Sequence, residues 1–396
     1  MEQLLFFDIP LDGLISLAVA LAALIALSLI YALRVNKVAS AALRAGSLMP
    51  EKDDAEYEPV SVVVYSQADA DALSELLPVL LSQDYPSPFE VVVVNEGESA
   101  DVRDAVSLLR MSNPNLYLTF TPDGVRSLSR KKLALTLGVK AARYDVLVFV
   151  TTATVIGSDK WLSSMTSKFS RTSAVEVVLG YAAPVPGEDD AFGRRCRSFD
   201  YVADSVRWIA PALAGHPFRG TEFNLAYRKK VFLKNNGFAR SLNLHSGDDD
   251  IFISEIAGAH NTAVELSLDS IVGIRHGNAP RVFRERVLRR CFTESFIRRR
   301  PRFLMPLTGW LQCVVAAAVV YAAIVSYPSV VALSAGAVLM LATIAADIYV
   351  WRRVMKALRM DPLMLSLPWL SVSYPVRRFV RKLYSRFSHQ KKYTWT

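Results

Sequence analysis

The sequence predicts an open α/β domain carried between one N-terminal and two C-terminal membrane-spanning helices. Three observations lead there. Short β-branched runs alternate with helical apolar patterns between residues 60 and 150. Three long, nearly uncharged stretches lie outside that region, and basic clusters flank them on a consistent side. At 396 residues the chain has room for one large or two ordinary soluble domains besides its membrane segments. Its 52% hydrophobic content is high for a soluble protein, and the excess is concentrated in those stretches.

Gly13 to Leu33 carries no charge and is long enough to cross ~30 Å of hydrocarbon at ~1.5 Å per residue. Glu2, Asp8 and Asp12 precede it without a basic residue, the wrong polarity for a cleaved signal peptide, so it reads as an anchor. Leu307 to Val325 and Val330 to Val350 are two more such runs, and the short link Ser326-Tyr327-Pro328-Ser329 folds them into a hairpin. Asp347 lies near the end of the third run and is expected to reach the interface or a neighbouring helix. Arg34, Lys37 and Arg44 follow the first span, Arg298, Arg299, Arg300 and Arg302 precede the second, and Arg352 and Arg353 follow the third. All three clusters share one side if the N-terminus is outside and residues 34–306 are cytoplasmic.

The net charge of +9 is partly the work of the tail, where Arg377 to Lys392 is basic and acid-free, with Phe379, Tyr384 and Phe387 interleaved. So close to membrane spans, this reads as a segment on anionic headgroups, with no nucleic-acid partner expected. Leu363 to Tyr374, with Pro368, is too short to cross and is expected in the interface. Cys196, Cys291 and Cys313 have no paired spacing, and five scattered histidines give no ligand pattern. Neither a disulfide framework nor a zinc site is supported, which suits a reducing cytosolic face.

Val60 to Tyr65 and Glu90 to Val94 are strands, and Asp71 to Leu81 between them is a helix. Val102 to Met111 and Lys131 to Ala142 supply further helices, and Leu116 to Phe120 and Asp145 to Val150 further strands. Ligands of such sheets bind beyond the carboxyl ends of the strands. Those ends are Tyr65-Ser66-Gln67, Asn95-Glu96-Gly97 and Thr151 to Thr154. Farther on, Val175 to Ala183 reads as one strand and Phe192 to Leu213 as a helix. Arg281 to Arg300 is amphipathic, with Phe283, Val287, Leu288, Cys291, Phe292 and Phe296 on one side and arginines on the other. The expected organisation is an anchor (1–34), a linker (35–59), an α/β domain (60–280), an interface helix (281–306), a transmembrane hairpin (307–350) and a basic tail (351–396).

Gly247-Asp248-Asp249-Asp250-Ile251-Phe252 carries the strongest chemical signal. Three adjacent carboxylates repel one another unless they hold a cation, a proton or solvent. They also suit the N-terminus of a helix, where carboxylates cap free amides.

Taken in order, five stretches resemble the membrane-anchored bacterial family 2 glycosyltransferases. They are Val60 to Val64 with Leu80-Leu81-Ser82-Gln83-Asp84-Tyr85-Pro86; Val91 to Gly97; Arg130 to Leu135 with Gly138; Gly220 with Asn224 to Arg228; and Gly247 to Phe252. The resemblance implies a GT-A type, Rossmann-like fold: a mixed, mainly parallel sheet with flanking helices. It implies a nucleotide-diphosphate sugar donor and inversion at the anomeric carbon. It places Tyr65, Asn95, Glu96, Lys131 and Lys132 at the donor, with Arg130 beside them. Gly220, Asn224, Arg289 and Arg290 fall on the acceptor or pyrophosphate side. Asp249 becomes the general base, with Asp248 and Asp250 as the neighbours that raise its pKa.

Two departures stand out. The family's Asp-x-Asp, which holds Mg²⁺ or Mn²⁺ on the diphosphate, is replaced by Thr152 and Thr154. Either the metal is gone, another acid such as Glu96 substitutes, or the donor site is defunct. The Gln-x-x-Arg of the interface helix, expected at Arg289 and Phe292, is also missing. The expected function is sugar transfer to a lipid-linked or membrane-proximal glycan acceptor at the cytoplasmic face of a bacterial inner membrane. A non-catalytic member that serves as scaffold for an active synthase is the alternative.

Overall fold

The computed structural model describes residues 9–47, 57–97, 99–122, 128–185, 191–297, 304–360 and 366–387. The chain divides into a helical unit (Met1–Ser40 with Arg302–Leu383) and an α/β unit (Ala41–Pro301 with Tyr384–Thr396).

Among the described residues three helices are long and apolar enough to cross a membrane: Leu11–Gly46, Leu307–Val325 and Val330–Ala357. The first passes through one wider π turn at Tyr31–Val35 and continues as Asn36–Ser47, beyond its expected end at Leu33. Ala39, Ala41, Ala42 and Leu43 are good helix formers, so the chain stays helical where a linker was expected. Residues 48–56 of that linker, and Arg298, Arg299, Arg300 and Arg302, lie outside the described residues.

Small side chains let these helices approach. Ala20, Ala23 and Val315 form one buried cluster, and Leu17, Ala322 and Ala332 another. Asp347 is buried, and of its two expected places it takes the neighbouring helices. Its Oδ1 accepts hydrogen bonds from the Tyr31 hydroxyl, from Gln312 Nε2 at 2.8 Å and from Ser371 Oγ at 3.0 Å. A polar group in an apolar bundle is costly unless bonded in this way. Ser371 belongs to a helix, Leu367–Phe387, that merges most of the expected interface segment with the start of the basic tail. Leu363, Lys391 and Lys392 fall outside the described residues.

The α/β unit is built on a seven-stranded sheet in the order β3-β2-β1-β4-β8-β6-β9. Its strands are β1 (Val60–Ser66), β2 (Phe89–Asn95), β3 (Leu116–Phe120), β4 (Val146–Thr151), β6 (Val177–Leu179), β8 (Leu225–Arg228) and β9 (Thr262–Val264). All pairings are parallel except those of β8, which runs against both β4 and β6. Valine runs buried on both faces suit such a sheet, and helices Ala70–Leu81, Ala100–Arg110 and Arg130–Ala141 alternate with its first strands. The chain steps outward from β1 to β3, then returns to pair β4 on the other side of β1. This is the switch point where an open sheet leaves a crevice.

The expected strand from Val175 to Ala183 is instead two, because Gly180 breaks it. A Cβ there would meet the Asn224 side chain at 2.5 Å. β6 stays in the large sheet, while β7 (Ala182–Pro184) joins β5 (Thr154–Val155) and β10 (Val272–Ile274) in a second, three-stranded sheet. This second sheet braces the end of β4.

Gly138 sets how closely the Arg130–Ala141 helix lies on the sheet, since a Cβ there would meet Val63 and Val94 methyls at 2.7 Å each. Both neighbours are β-branched and cannot swing away. Alanine would recover up to ~1 kcal/mol of helix propensity against an overpacking cost of ~1–3 kcal/mol. Valine recovers little of the first and enlarges the second. Gly138→Val is therefore expected to lower the stability of the detergent-solubilised protein by at least ~2 kcal/mol, read from its denaturation midpoint. An unchanged midpoint would show that this contact has slack.

Candidate active site

The crevice opens where Tyr65 of β1 pairs Thr151 of β4 on one side and Ser66 pairs Asn95 of β2 on the other. The Tyr65 hydroxyl donates to the Glu96 carboxylate. Asn95 is buried, and its amide reaches the Ser99 carbonyl only at 3.5 Å. Lys131, in the first turn of its helix, lies over the Tyr65 ring at 5.6 Å from the centroid. Its Nζ pairs with Asp248 Oδ2 at 2.6 Å and also with Glu222, whose second oxygen takes Arg289. The aspartate run therefore sits at the crevice, tied to the end of β1 by one ammonium.

Burial and charge set the protonation states here. Burial pushes Lys131 down, but Asp248 and Glu222 outweigh it and hold the ammonium above its usual range. Burial pushes Glu222 up, and Arg289 with Lys131 more than reverses this, so it stays ionised.

The three aspartates do different work. Gly247 turns the chain at φ +115°, where a Cβ would strike Ile251 at 2.4 Å. Asp248 is committed to Lys131. Asp250 caps the short Ile251–Ile256 helix through Ile251 N–H at 2.7 Å, accepts from the Thr293 hydroxyl, and lies 3.4 Å from Arg219. Asp249 is half-buried, and among the described residues its carboxylate takes no hydrogen bond or ion pair. Only its main-chain carbonyl is engaged, accepting Gly220 N–H at 2.8 Å. Burial first, then Asp250 and Asp248, push the Asp249 carboxyl up to about 7.

Other expected residues prove to be framework. Lys132 is fully buried, and its Nζ donates to the Ser241 carbonyl at 2.6 Å and the Ser246 carbonyl at 2.9 Å. It pins the loop that carries the aspartates and does not face the crevice. Burial lowers its ammonium to about 8. Asn224 is fully buried, with its amide donating to Tyr181 O at 3.0 Å and Ser270 O at 2.7 Å, and its oxygen accepting from Trp161 Nε1 at 3.1 Å. It has nothing left for a ligand. Gly220 acts through its N–H on Asp249.

At the end of β4, Thr152 and Thr154 are both buried. The Thr154 hydroxyl accepts from Thr151 N–H at 3.2 Å and donates to the Phe223 carbonyl at 3.4 Å. These neutral hydroxyls, of which that of Thr154 is already committed, do not fit a hard divalent cation, which wants carboxylate oxygens. Among the described residues no group of three His, Cys, Asp or Glu side chains is disposed to hold a metal. Glu96, the acid considered as a substitute, is already engaged by Tyr65.

The Pro280–Thr293 helix corrects another expectation. Its arginines do not all lie opposite its apolar side, since Arg286 is buried along with Phe283 and Thr293. Spacings of three and four residues put 283, 286, 289 and 293 on the same face. The Arg286 guanidinium lies over the rings of Tyr201 (5.2 Å) and Phe223 (5.3 Å), and Arg290 also approaches Tyr201 at 5.8 Å. A cavity of about 510 Å³ opens beside it, lined by Gln67, Phe223, His245, Ser246, Arg286 and Arg289 among others. Sequence reasoning missed Glu222, Arg286 and Arg219. Glu222 stands two residues after Gly220, and Arg286 precedes Arg289 by one helical turn; those spacings were the available signal.

The sequence profile of glycosyl transferase family 21 matches residues 19–382, nearly the whole chain. The chain belongs to glycosyl transferase family 21. The sequence resemblance pointed to family 2; what the two share, a glycosyltransferase with a GT-A type fold, stands. Among solved structures, this family 21 glycosyltransferase is similar to the mannosyltransferase PcManGT from Pyrobaculum calidifontis in complex with GDP-Man and Mn²⁺. That likeness has a TM-score of 0.52 at 19% identity and covers 95% of this chain and 100% of that one. At this identity it shows the fold alone. S. aureus TarS residues 1–349 superpose less well, with a TM-score of 0.38 at 17% identity over 84% of this chain and 93% of that one. No curated protein sequence matches the chain significantly.

The raised Asp249 pKa makes a stability prediction. The fold favours its protonated form, so its relative stability is complete below the ordinary value of 3.8 and is lost as pH rises towards about 7. Asp249→Asn, which stays neutral, is expected to melt higher than wild type at pH 8 and equally at pH 4, by thermal scans in detergent. A lower melting point for the variant at pH 8 contradicts the assigned environment.

Proposed function

We propose that this glycosyltransferase moves a sugar from a nucleotide-diphosphate sugar to a hydroxyl of a lipid-linked or membrane-proximal glycan, with inversion, using Asp249 as general base. The observation that carries the reading is the uncommitted Asp249 carboxylate beside two aspartates that are fully engaged. A base must keep a free lone pair, and a carboxyl near pH 7 both accepts and releases a proton readily.

In this reading the donor lies across the carboxyl ends of β1, β2 and β4, with Tyr65, Asn95 and Glu96 toward its nucleoside and the Thr152–Thr154 turn beneath its diphosphate. The acceptor oxygen attacks the anomeric carbon from the face opposite the diphosphate and gives its proton to an Asp249 oxygen. The bond between the anomeric carbon and the diphosphate oxygen breaks, and its electron pair leaves on that oxygen. Lys131 holds Asp248 away from the acceptor, and Lys132 fixes the loop. The three membrane-length helices suit an acceptor presented at a bilayer. The basic residues Arg34, Lys37, Arg44, Arg352 and Arg353 favour a cytoplasmic domain in a bacterial inner membrane.

Two measurements test this. In a radiolabelled-sugar transfer assay with membranes, Asp249→Asn is expected to lower turnover by roughly 10²–10⁴-fold. Equal transfer by both proteins removes Asp249 from the reaction. For wild type, kcat/KM is expected to rise about tenfold per pH unit on the acid side and level off above about 7, as the base loses its proton. A profile that falls through this range contradicts a base with that pKa.

A further inference from the structure

We infer that the positive charge stabilising the departing diphosphate comes from Arg286 and Arg289 on the cavity wall, so that transfer proceeds without a divalent cation. This rests on the sugar-transfer reading above and adds to it the origin of the charge.

The first ground is the donor set at the end of β4. Thr152 and Thr154 present hydroxyls where a hard cation needs carboxylates, and the Thr154 hydroxyl already serves Thr151 N–H and the Phe223 carbonyl. Acids near the crevice are taken: Glu96 by Tyr65, Asp248 by Lys131, and Glu222 by Lys131 with Arg289. Among the described residues Asp249 alone is open, and a base spent on a metal could not accept a proton.

The second ground is Arg286. It is only 6% exposed, and among the described residues it has no ion pair and its Nη1 has no hydrogen-bond partner. A buried guanidinium left this way is unfavourable unless something anionic arrives. The rings of Tyr201 and Phe223 lie within 5.3 Å of its guanidinium carbon and attract the cation without supplying a counter-charge. That side chain lines the cavity together with Arg289. The acid on the cavity wall, Glu285, is turned to Arg281 at 3.1 Å. A planar fork of N–H donors in a pocket of net positive charge matches phosphate oxygens.

The third ground is position. Thr154 stands where the second metal-binding acid would be, its hydroxyl on the Phe223 carbonyl, and the Phe223 ring carries Arg286. The side-chain cation therefore lies one residue away from the place a metal ion would otherwise fill. As the bond to the anomeric carbon breaks, the negative charge gathering on the diphosphate meets two fixed guanidinium groups. Preorganised charge of this kind needs no rearrangement during the reaction.

The test uses the full chain in detergent and two readouts. Calorimetry with inorganic pyrophosphate is expected to give the same affinity, within about twofold, in EDTA and in Mn²⁺. Arg286→Met is expected to bind at least tenfold more weakly in both, and Arg286→Lys to fall between them, because a point charge keeps attraction but loses the fork. Anionic lipid added to the detergent should leave pyrophosphate affinity unchanged; displacement by it would assign the pocket to a phosphate headgroup and overturn the inference. Pyrophosphate binding that requires Mn²⁺ overturns it too, and that comparison uses wild type alone, whatever the variants do. In the transfer assay, activity present with Mn²⁺ and lost in EDTA defeats this inference while leaving Asp249 as base. Transfer indifferent to Asp249→Asn defeats the base instead.

Discussion

Lys131 stands between the end of β1 and the aspartate turn, with its Nζ on Asp248 at 2.6 Å and on Glu222, and its charge over the Tyr65 ring. Two segments more than a hundred residues apart in sequence meet on this one ammonium. Removing one partner of such a buried pair typically costs ~3–5 kcal/mol, because the other charge is left without compensation. The cost here would fall on the geometry of the crevice, since Glu222 also orients Arg289 and Asp248 also fixes the turn that carries Asp249. Lys132, the next residue, holds the same loop through carbonyl oxygens. The first turn of one helix thus fastens the loop twice, once by charge and once by hydrogen bonds.

That fastening separates three chemically identical neighbours. Asp248 pairs with Lys131, and Asp250 caps a helix and faces Arg219 and Thr293. Asp249 is left half-buried with two like charges beside it, so its proton is held more firmly than in an ordinary carboxyl. A run of three acids could have been a cation site or a solvated helix end. Here Asp250 serves as the cap, and Asp249 keeps a carboxylate with no partner among the described residues.

Much of the fold was legible because it rests on local signals. The valine runs of β1, β2 and β4 and the apolar periodicity of the helices between them fixed the element order to within a residue or two. What escaped depended on contacts between distant segments. The break at Gly180 exists because Asn224 fills the space of a missing Cβ, which no periodicity reveals. Asn224 and Lys132 were placed at the site by the resemblance, and only their partners reveal that both are buried in hydrogen bonds within the fold. Arg286 read as one of the arginines opposite the apolar side of an interface helix, and its place beside the Tyr201 and Phe223 rings shows only in the fold. In the helical unit, the uncharged stretches announced the spans, but the charges after Leu33 hid the helix that continues to Ser47. The substitution of threonines at the end of β4 was plain in the sequence. Its meaning required seeing what cations stand nearby.

Among the described acids of the crevice Asp249 alone carries a carboxylate without a partner, and its surroundings push that carboxyl up to about 7. Infrared spectroscopy of the protein across pH, with ¹³C-labelled aspartate, observes that carboxyl directly. The expected result is a protonated carboxyl band that disappears with a midpoint near pH 7 in wild type and is missing from Asp249→Asn. A wild-type spectrum in which no aspartate gains or loses its proton between about pH 6 and 8, or one whose band survives the substitution unchanged, would contradict it.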